Sequence, residues 1–226
     1  MNYNKILELL YINKDYSEIK ELLKNSNDIR SFNILGKINL WTGNIQEAYN
    51  YFNKAQSILG CCYCHIINED LEEAKILINL VKESSPDIKW LLGLIDLLEN
   101  KEEIYLSYFE IRNFYEQDLE LFFQYKKYNY IEKITQNLQI LEYFNREIYK
   151  YTARVFFNNK IFDTAESLLK KSLDIFYNDP ETHYLLGEIY NLRGEINLAK
   201  KEFQTSSDVN NGYQPAIKKL KDLMIV

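Results

Sequence analysis

The chain has 226 residues, 46% hydrophobic and 27% charged, which supplies enough apolar content for a core and argues against wholesale disorder. Its net charge is −6 and no basic face stands out, so nucleic-acid binding lacks its electrostatic basis. Only three Pro and seven Gly punctuate long Leu/Ile/Glu/Lys stretches, which predicts an almost all-helical chain, and no apolar run approaches the roughly 20 residues of a membrane span.

The opening MNYNKILELLYINKDYSE has no uninterrupted apolar region or small-residue cleavage site, so no signal peptide is expected. Residues 3–12 and 16–25 read as a first helical pair, with Asp15 as N-cap of the second helix. A clearer pair spans about 30–56. A compressed pair follows at Ile58–Ile67 and Leu71–Val81, with Ala74 in the slot that Ala48 holds 26 residues earlier. Glu83-Ser84-Ser85-Pro86 is a break, and Pro86 suits the first turn of the next helix. The next pair is expected at Asp87–Glu99 and Lys101 to about Tyr115, and a degenerate pair without Gly at 117–139. From about 146 the rhythm returns: Ala165 precedes Ala199 by 34 residues, and Pro180 and Pro215 mark successive repeat boundaries. A last amphipathic helix, Ala216–Met224, keeps Lys218, Lys219 and Lys221 on its wet side, as an end cap would.

Two stretches carry the strongest pattern. In THYLLGEIYNLRGEINLAKKEFQTS, apolar Tyr184, Leu185, Ile189 and Tyr190 form one helical stripe and Ile196, Leu198, Ala199 and Phe203 another. The turn Leu192-Arg193-Gly194 lies between them, with a Gly able to take the positive φ that closes a helix. In SFNILGKINLWTGNIQEAYNYFNKAQ the same intervals recur: Leu35, Gly36, Gly43, Ala48 and Phe52 repeat Leu186, Gly187, Gly194, Ala199 and Phe203. Gly187 and Ala199 would let two backbones approach while Phe203 fills the space beside them. This spacing resembles the tetratricopeptide repeat, a helix-turn-helix unit of about 34 residues. The resemblance implies an all-α, right-handed solenoid of antiparallel helix pairs with a C-terminal capping helix, forming a single superhelical domain over 1–226.

The sharpest chemical cluster is Cys61-Cys62-Tyr63-Cys64-His65. Thiolates and imidazole suit zinc or copper(I). On a helix, however, Cys61, Cys64 and His65 crowd one face, and no second Cys/His group completes a tetrahedron, so buried thiols packing as small apolar groups are expected. Three clustered Cys cannot staple distant segments, which predicts reduced thiols in a cytoplasmic or nuclear setting. His183 is expected to pack, since no Ser or Cys with a supporting acid accompanies it. The carboxylate pairs Glu72/Glu73, Glu102/Glu103 and Asp179/Glu181 read as solvated charge at helix starts. No Gly-rich phosphate loop occurs. No enzyme activity, cofactor, metal or small-molecule substrate is expected.

Function then rests on surface. In tetratricopeptide arrays the first helix of each pair lines a groove. Carried over by position, those slots are Arg30, Asn33, Lys37 and Trp41, then Lys150, Arg154 and Phe157, then Tyr184, Glu188 and Asn191. The Lys/Asn/Lys/Arg set that clamps a C-terminal carboxylate is only partly present, because Glu188 intrudes. Trp41 and Trp90 are candidate anchors, since interface energy concentrates in Trp, Tyr and Arg, with packing between repeats as the alternative. Trp90, Leu94 and Leu97, placed on outward slots, are expected to drive self-association. The unit order also resembles the N-terminal half of the tetratricopeptide scaffold subunits of the anaphase-promoting complex: a normal repeat, a compressed Cys-bearing one, a break, then WLLGLIDLLENKEEIYLSYF, over about residues 15–110. That likeness implies a cell-cycle scaffold that homodimerises through its N-terminal repeats. A weaker likeness is to the repeat scaffold of a transcription-elongation complex. The alternative is a monomeric adaptor holding a partner peptide in its groove. In each case the partners are proteins or peptides, with no nucleic acid and no membrane.

Overall fold

The computed structural model describes residues 3–82, 84–101 and 103–224. Glu83 of the expected break and Glu102 of the expected carboxylate pair lie outside the described residues. The described residues are all-α, with no strand among them, and they fold as two compact units. The first holds residues 1–99 and 124–127; the second holds 100–123 and 128–226.

The first unit contains α1 (Tyr3–Glu8), α2 (Tyr16–Leu23), α3 (Ile29–Trp41), α4 (Ile45–Lys54), α5 (Ile58–Ile67), α6 (Leu71–Asn79) and α7 (Pro86–Leu98). A wider π-type turn, Leu9–Asn13, continues α1. The helix starts follow local chemistry. Side-chain oxygens of Asp15, Asp28, Ser57, Asp70 and Ser85 accept from orphan N–H groups of the first turns, and Pro86 occupies the start of α7.

The second unit contains α8 (Tyr108–Gln124, its last residue assigned to the first unit), α9 (Tyr128–Gln136), α10 (Leu138–Phe144), α11 (Ile148–Asn158), α12 (Phe162–Ile175), α13 (Pro180–Leu192), α14 (Ile196–Val209) and α15 (Gln214–Met224). Here one expectation fails. The helix expected from Lys101 to about Tyr115 starts only at Tyr108. Residues 103–107 have no regular secondary structure, with Ile104 and Leu106 buried while Glu103 and Tyr105 stay exposed. The start is fixed by Ser107, whose N–H donates to Glu110 Oε2 at 2.8 Å and whose hydroxyl donates to the same oxygen. That Ser-x-x-Glu pairing is the glutamate half of a capping box and was readable in the sequence. Glu103 therefore does not lie at a helix start.

The repeat is more regular in the backbone than in the residues. Lys14, Gly43, Glu69, Lys126, Lys160 and Gly194 all have positive φ, between 52° and 83°, and each follows the first helix of a pair; Asn100, at 56°, follows α7, after which the next helix is α8. After four of them the following N–H reaches the carbonyl five residues back: Asn44 to Asn39, Asp70 to His65, Ile161 to Phe156 and Glu195 to Tyr190, at 2.8–2.9 Å. These are the hydrogen bonds of one recurrent helix-ending turn. Only Gly43 and Gly194 advertise it by composition.

Packing inside the pairs is of the tetratricopeptide type. A Cβ placed on Gly36 would lie 2.6 Å from the Phe52 ring, one on Gly187 would lie 2.6 Å from Phe203, and Gly60 of α5 meets the Phe52 ring still more closely. Ala48, Ala74, Ala165 and Ala199 are completely buried. Ser206, three residues after Phe203 as Ala55 is after Phe52, is equally buried and donates its hydroxyl to Pro180 O at 2.6 Å. Cys61, Cys62 and Cys64 are free thiols packed in the core, and burial pushes Cys62 and Cys64 up to about 12. Buried His183 also packs, with Nδ1 2.7 Å from Glu202 and Nε2 2.9 Å from Tyr177 O.

Candidate protein-binding faces

The positive-φ residue gives every first helix a common register. Counting back from Lys126, Lys160 and Gly194, the same slots hold Glu116, Lys150 and Tyr184, then Glu120, Arg154 and Glu188. Successive members are 34 residues apart. The slots on α11 and α13 are those read from the sequence. Glu116 and Glu120 of α8 are additional, and the 34-residue spacing could have revealed them.

These slots in the second unit are closed electrostatically. Lys150 is buried, with its ammonium 2.8 Å from both Glu147 and Asp179. Arg154 spends one terminal nitrogen on Glu116 at 3.1 Å and the other on Glu181 at 2.9 Å. Burial raises the Glu116 carboxyl above the usual range; Arg154 pulls it down, while Glu181 and Glu120 push it further up. Both oxygens of Glu120 accept 2.8 Å hydrogen bonds, from Asn158 and Asn159. Glu188 is held by Lys219 at 2.9 Å. Phe157 lies edge-on to Phe162, Tyr184 packs against Phe203 and Tyr213, and Asn191 is half-buried.

The corresponding face of the first unit is different. Arg30 is exposed, its guanidinium 4.3 Å above the Tyr3 ring. Asn33 Oδ1 is buried without a hydrogen-bond partner among the described residues. Lys37 donates a long 3.4 Å hydrogen bond to the Tyr11 hydroxyl and has no carboxylate partner among the described residues. Trp41 is half-buried, with Tyr11 and Tyr16 rings 6.1 and 6.3 Å away, and Tyr11 itself is 55% exposed.

The outward placement expected for Trp90, Leu94 and Leu97 is overturned: they are 1%, 1% and 0% exposed. Helix α7 also buries Ile88, Leu91, Gly93, Ile95 and Leu98. A helix apolar nearly all round is covered on nearly every side, so its outward slots are not a surface.

The sequence matches no family model and no curated protein. Among solved structures the chain is similar to YrrB, a TPR protein with an unusual peptide-binding site, at 14% identity and TM-score 0.38, covering 92% of this chain and 98% of that one. It is also similar to the APC/C hetero-tetramer Cut9–Hcn1, at 16% identity and TM-score 0.41, covering 93% of this chain and 46% of that one. A third is a human IFIT1 dimer with PPP-AAAA, at 13% identity and TM-score 0.35, covering 93% of this chain and 69% of that one. The tetratricopeptide-like character of the fold stands on its own geometry: glycine against phenylalanine, buried alanines, and one turn closing successive helix pairs. Among the described residues no helix is long and apolar enough to cross a membrane, and no three His, Cys, Asp or Glu side chains are grouped to hold a metal ion.

Proposed function

We propose that residues 1–226 form one non-catalytic scaffold domain, set in the cytoplasm or nucleus, that captures an acidic segment of a partner protein on Arg30, Asn33, Lys37 and Trp41. The observation that carries this reading is the contrast between cations. Lys37 is hydrogen-bonded to a hydroxyl, whereas Lys150 and Arg154 each lie between two carboxylates. A carboxylate arriving at Lys37 gains an ion pair at little cost, whereas one arriving at Arg154 must displace two. Trp41 and Tyr11 add half-covered aromatic surface of the kind that anchors interfaces. Lys37→Glu should remove the part of acidic-peptide binding that this face supplies, and raising salt should weaken binding to the native chain. If Arg154→Glu abolishes binding while Lys37→Glu leaves it intact, the assignment is wrong.

A narrower reading is a subunit of anaphase-promoting type that homodimerises through its N-terminal repeats; a transcription-elongation scaffold is a weaker form of the same idea. Its support is the unit order, with the compressed 26-residue step from Gly43 to Glu69. Light scattering should then give a mass near twice 27.1 kDa that survives dilution. A stable monomer removes this reading and leaves the adaptor.

A further inference from the structure

The opposite side of α3 carries a second feature. Phe32, Leu35 and Asn39 recur at helical spacing about half a turn from Asn33 and Lys37. They floor a groove of about 650 Å³, walled by Lys20, Glu21 and Lys24 of α2 and its C-terminal flank, and by Glu47, Tyr51 and Lys54 of α4.

Its charges are arranged unlike those of the second unit. Lys24 and Glu21 form an exposed pair at 3.6 Å and offset one another. The other two lysines face neutral partners. Lys20 Nζ donates to Asn39 Oδ1 at 3.2 Å, and the buried Asn39 is itself fixed by donating Nδ2 to Leu35 O at 2.8 Å. Lys54 Nζ lies 5.8 Å above the Phe32 ring centroid and 5.6 Å from that of Tyr51, whose rings are 6.2 Å apart. An amide oxygen and two ring faces hold an ammonium in place without neutralising it. Two oriented cations therefore flank an aromatic floor, with Glu47 as the remaining acidic lining residue.

We propose that this groove is a second docking site, taking an extended acidic segment of a partner protein with carboxylates on Lys20 and Lys54 and one apolar side chain over Phe32 and Tyr51. The proposal rests on the reading of the chain as a protein-interaction scaffold but not on the Lys37 face. Charge complementarity selects the occupant. A basic segment would meet two fixed ammonium groups instead.

The test is fluorescence anisotropy with the fluorescein-labelled peptide acetyl-Asp-Glu-Asp-Phe-Asp-Glu-Leu-amide. It compares the native chain, Lys20→Glu/Lys54→Glu and Lys37→Glu, each verified by far-ultraviolet circular dichroism. Reversing both lysines should weaken binding at least about tenfold, as when attractive contacts become like-charge contacts. Lys37→Glu should retain a salt-sensitive component that the double variant lacks. If the double reversal unfolds the chain, Lys20→Gln/Lys54→Gln removes both charges without reversing them and serves the same comparison. The proposal fails if the native chain does not bind the peptide, if the double variants bind as well as it does, or if Lys37→Glu alone removes all binding. It also fails if a ten-nucleotide oligouridylate binds with the same dependence on Lys20 and Lys54. Absence of any Lys37-dependent component, with the Lys20/Lys54-dependent one present, would overturn the proposed function and leave this groove standing.

Discussion

Phe52 is tightly constrained, because glycines face it from two helices. A methyl group added at Gly36 would lie 2.6 Å from ring atoms Cδ1 and Cε1, where ordinary contact is 3.4–4 Å. The ring would have to retreat by roughly 1 Å in a core packed to crystal-like density. It is 2% exposed, and Gly60 of α5 meets the same ring atoms still more closely. Overpacking of this kind costs ~1–3 kcal/mol. Replacing a helix-interior Gly with Ala returns ~1 kcal/mol through propensity. Gly36→Ala should therefore be destabilising by ~0–2 kcal/mol, the balance of these terms. Phe52→Leu alone should cost ~1–3 kcal/mol. In that background the methyl enters vacated space, so Gly36→Ala should become stabilising by ~1 kcal/mol. The sign reversal is the signature, a coupling of ~1–3 kcal/mol in a double-mutant cycle. Urea unfolding followed by Trp fluorescence reads it directly, because both Trp residues, Trp41 and Trp90, belong to the first unit. An equal effect of Gly36→Ala in both backgrounds would mean that close approach is not what requires glycine there.

Two further outcomes follow from the side-chain environments. Burial alone would raise the Glu166 carboxyl, but hydrogen bonds from Lys170, Arg193 and Tyr190 outweigh it and hold the group at about 2. A carboxyl depressed on folding adds stability above its unfolded value near 4.5 and loses it as pH falls toward 2. Glu166→Gln should thus flatten the acid limb of the stability curve in that window, measured as helix melting temperature against pH; an unchanged slope would refute the pairing. The thiols of Cys61, Cys62 and Cys64 are buried and raised by burial, so a disulfide reagent at pH 8 should label them slowly in the native chain and at once in urea. A rapidly labelled native thiol would contradict that packing.

Much of the fold was legible because its determinants are local. Asp15 caps α2, Pro86 starts α7, and Gly43 and Gly194 sit at the turns where their spacing placed them. The expectation failed at Lys101–Tyr115, where apolar residues suggested helical continuity while the Ser107–Glu110 pairing delays the start. The repeat register through Lys126 was hidden because the small-residue slot that Ala165 and Ala199 fill holds Ile131 instead, and with it went Glu116 and Glu120. Of the candidate site residues, the slots on α3, α11 and α13 were identifiable by position, but their chemical state was not.

The sequence by itself determined the class of this chain: helix pairs, their turns, and the Gly–Ala–Phe packing set. Each of these depends on residues close in the chain, the widest being the 16 residues from Gly36 to Phe52 and from Gly187 to Phe203. Only the tertiary structure decided which first-helix faces are open. Arg154 is matched by carboxylates 38 and 27 residues away, while Lys37 is left with the hydroxyl of Tyr11. Trp90, Leu94 and Leu97 occupy outward slots by count yet are buried. Periodicity fixes the direction in which a side chain leaves its helix; whether it meets water, a neighbour or an opposite charge is fixed by segments remote in the chain.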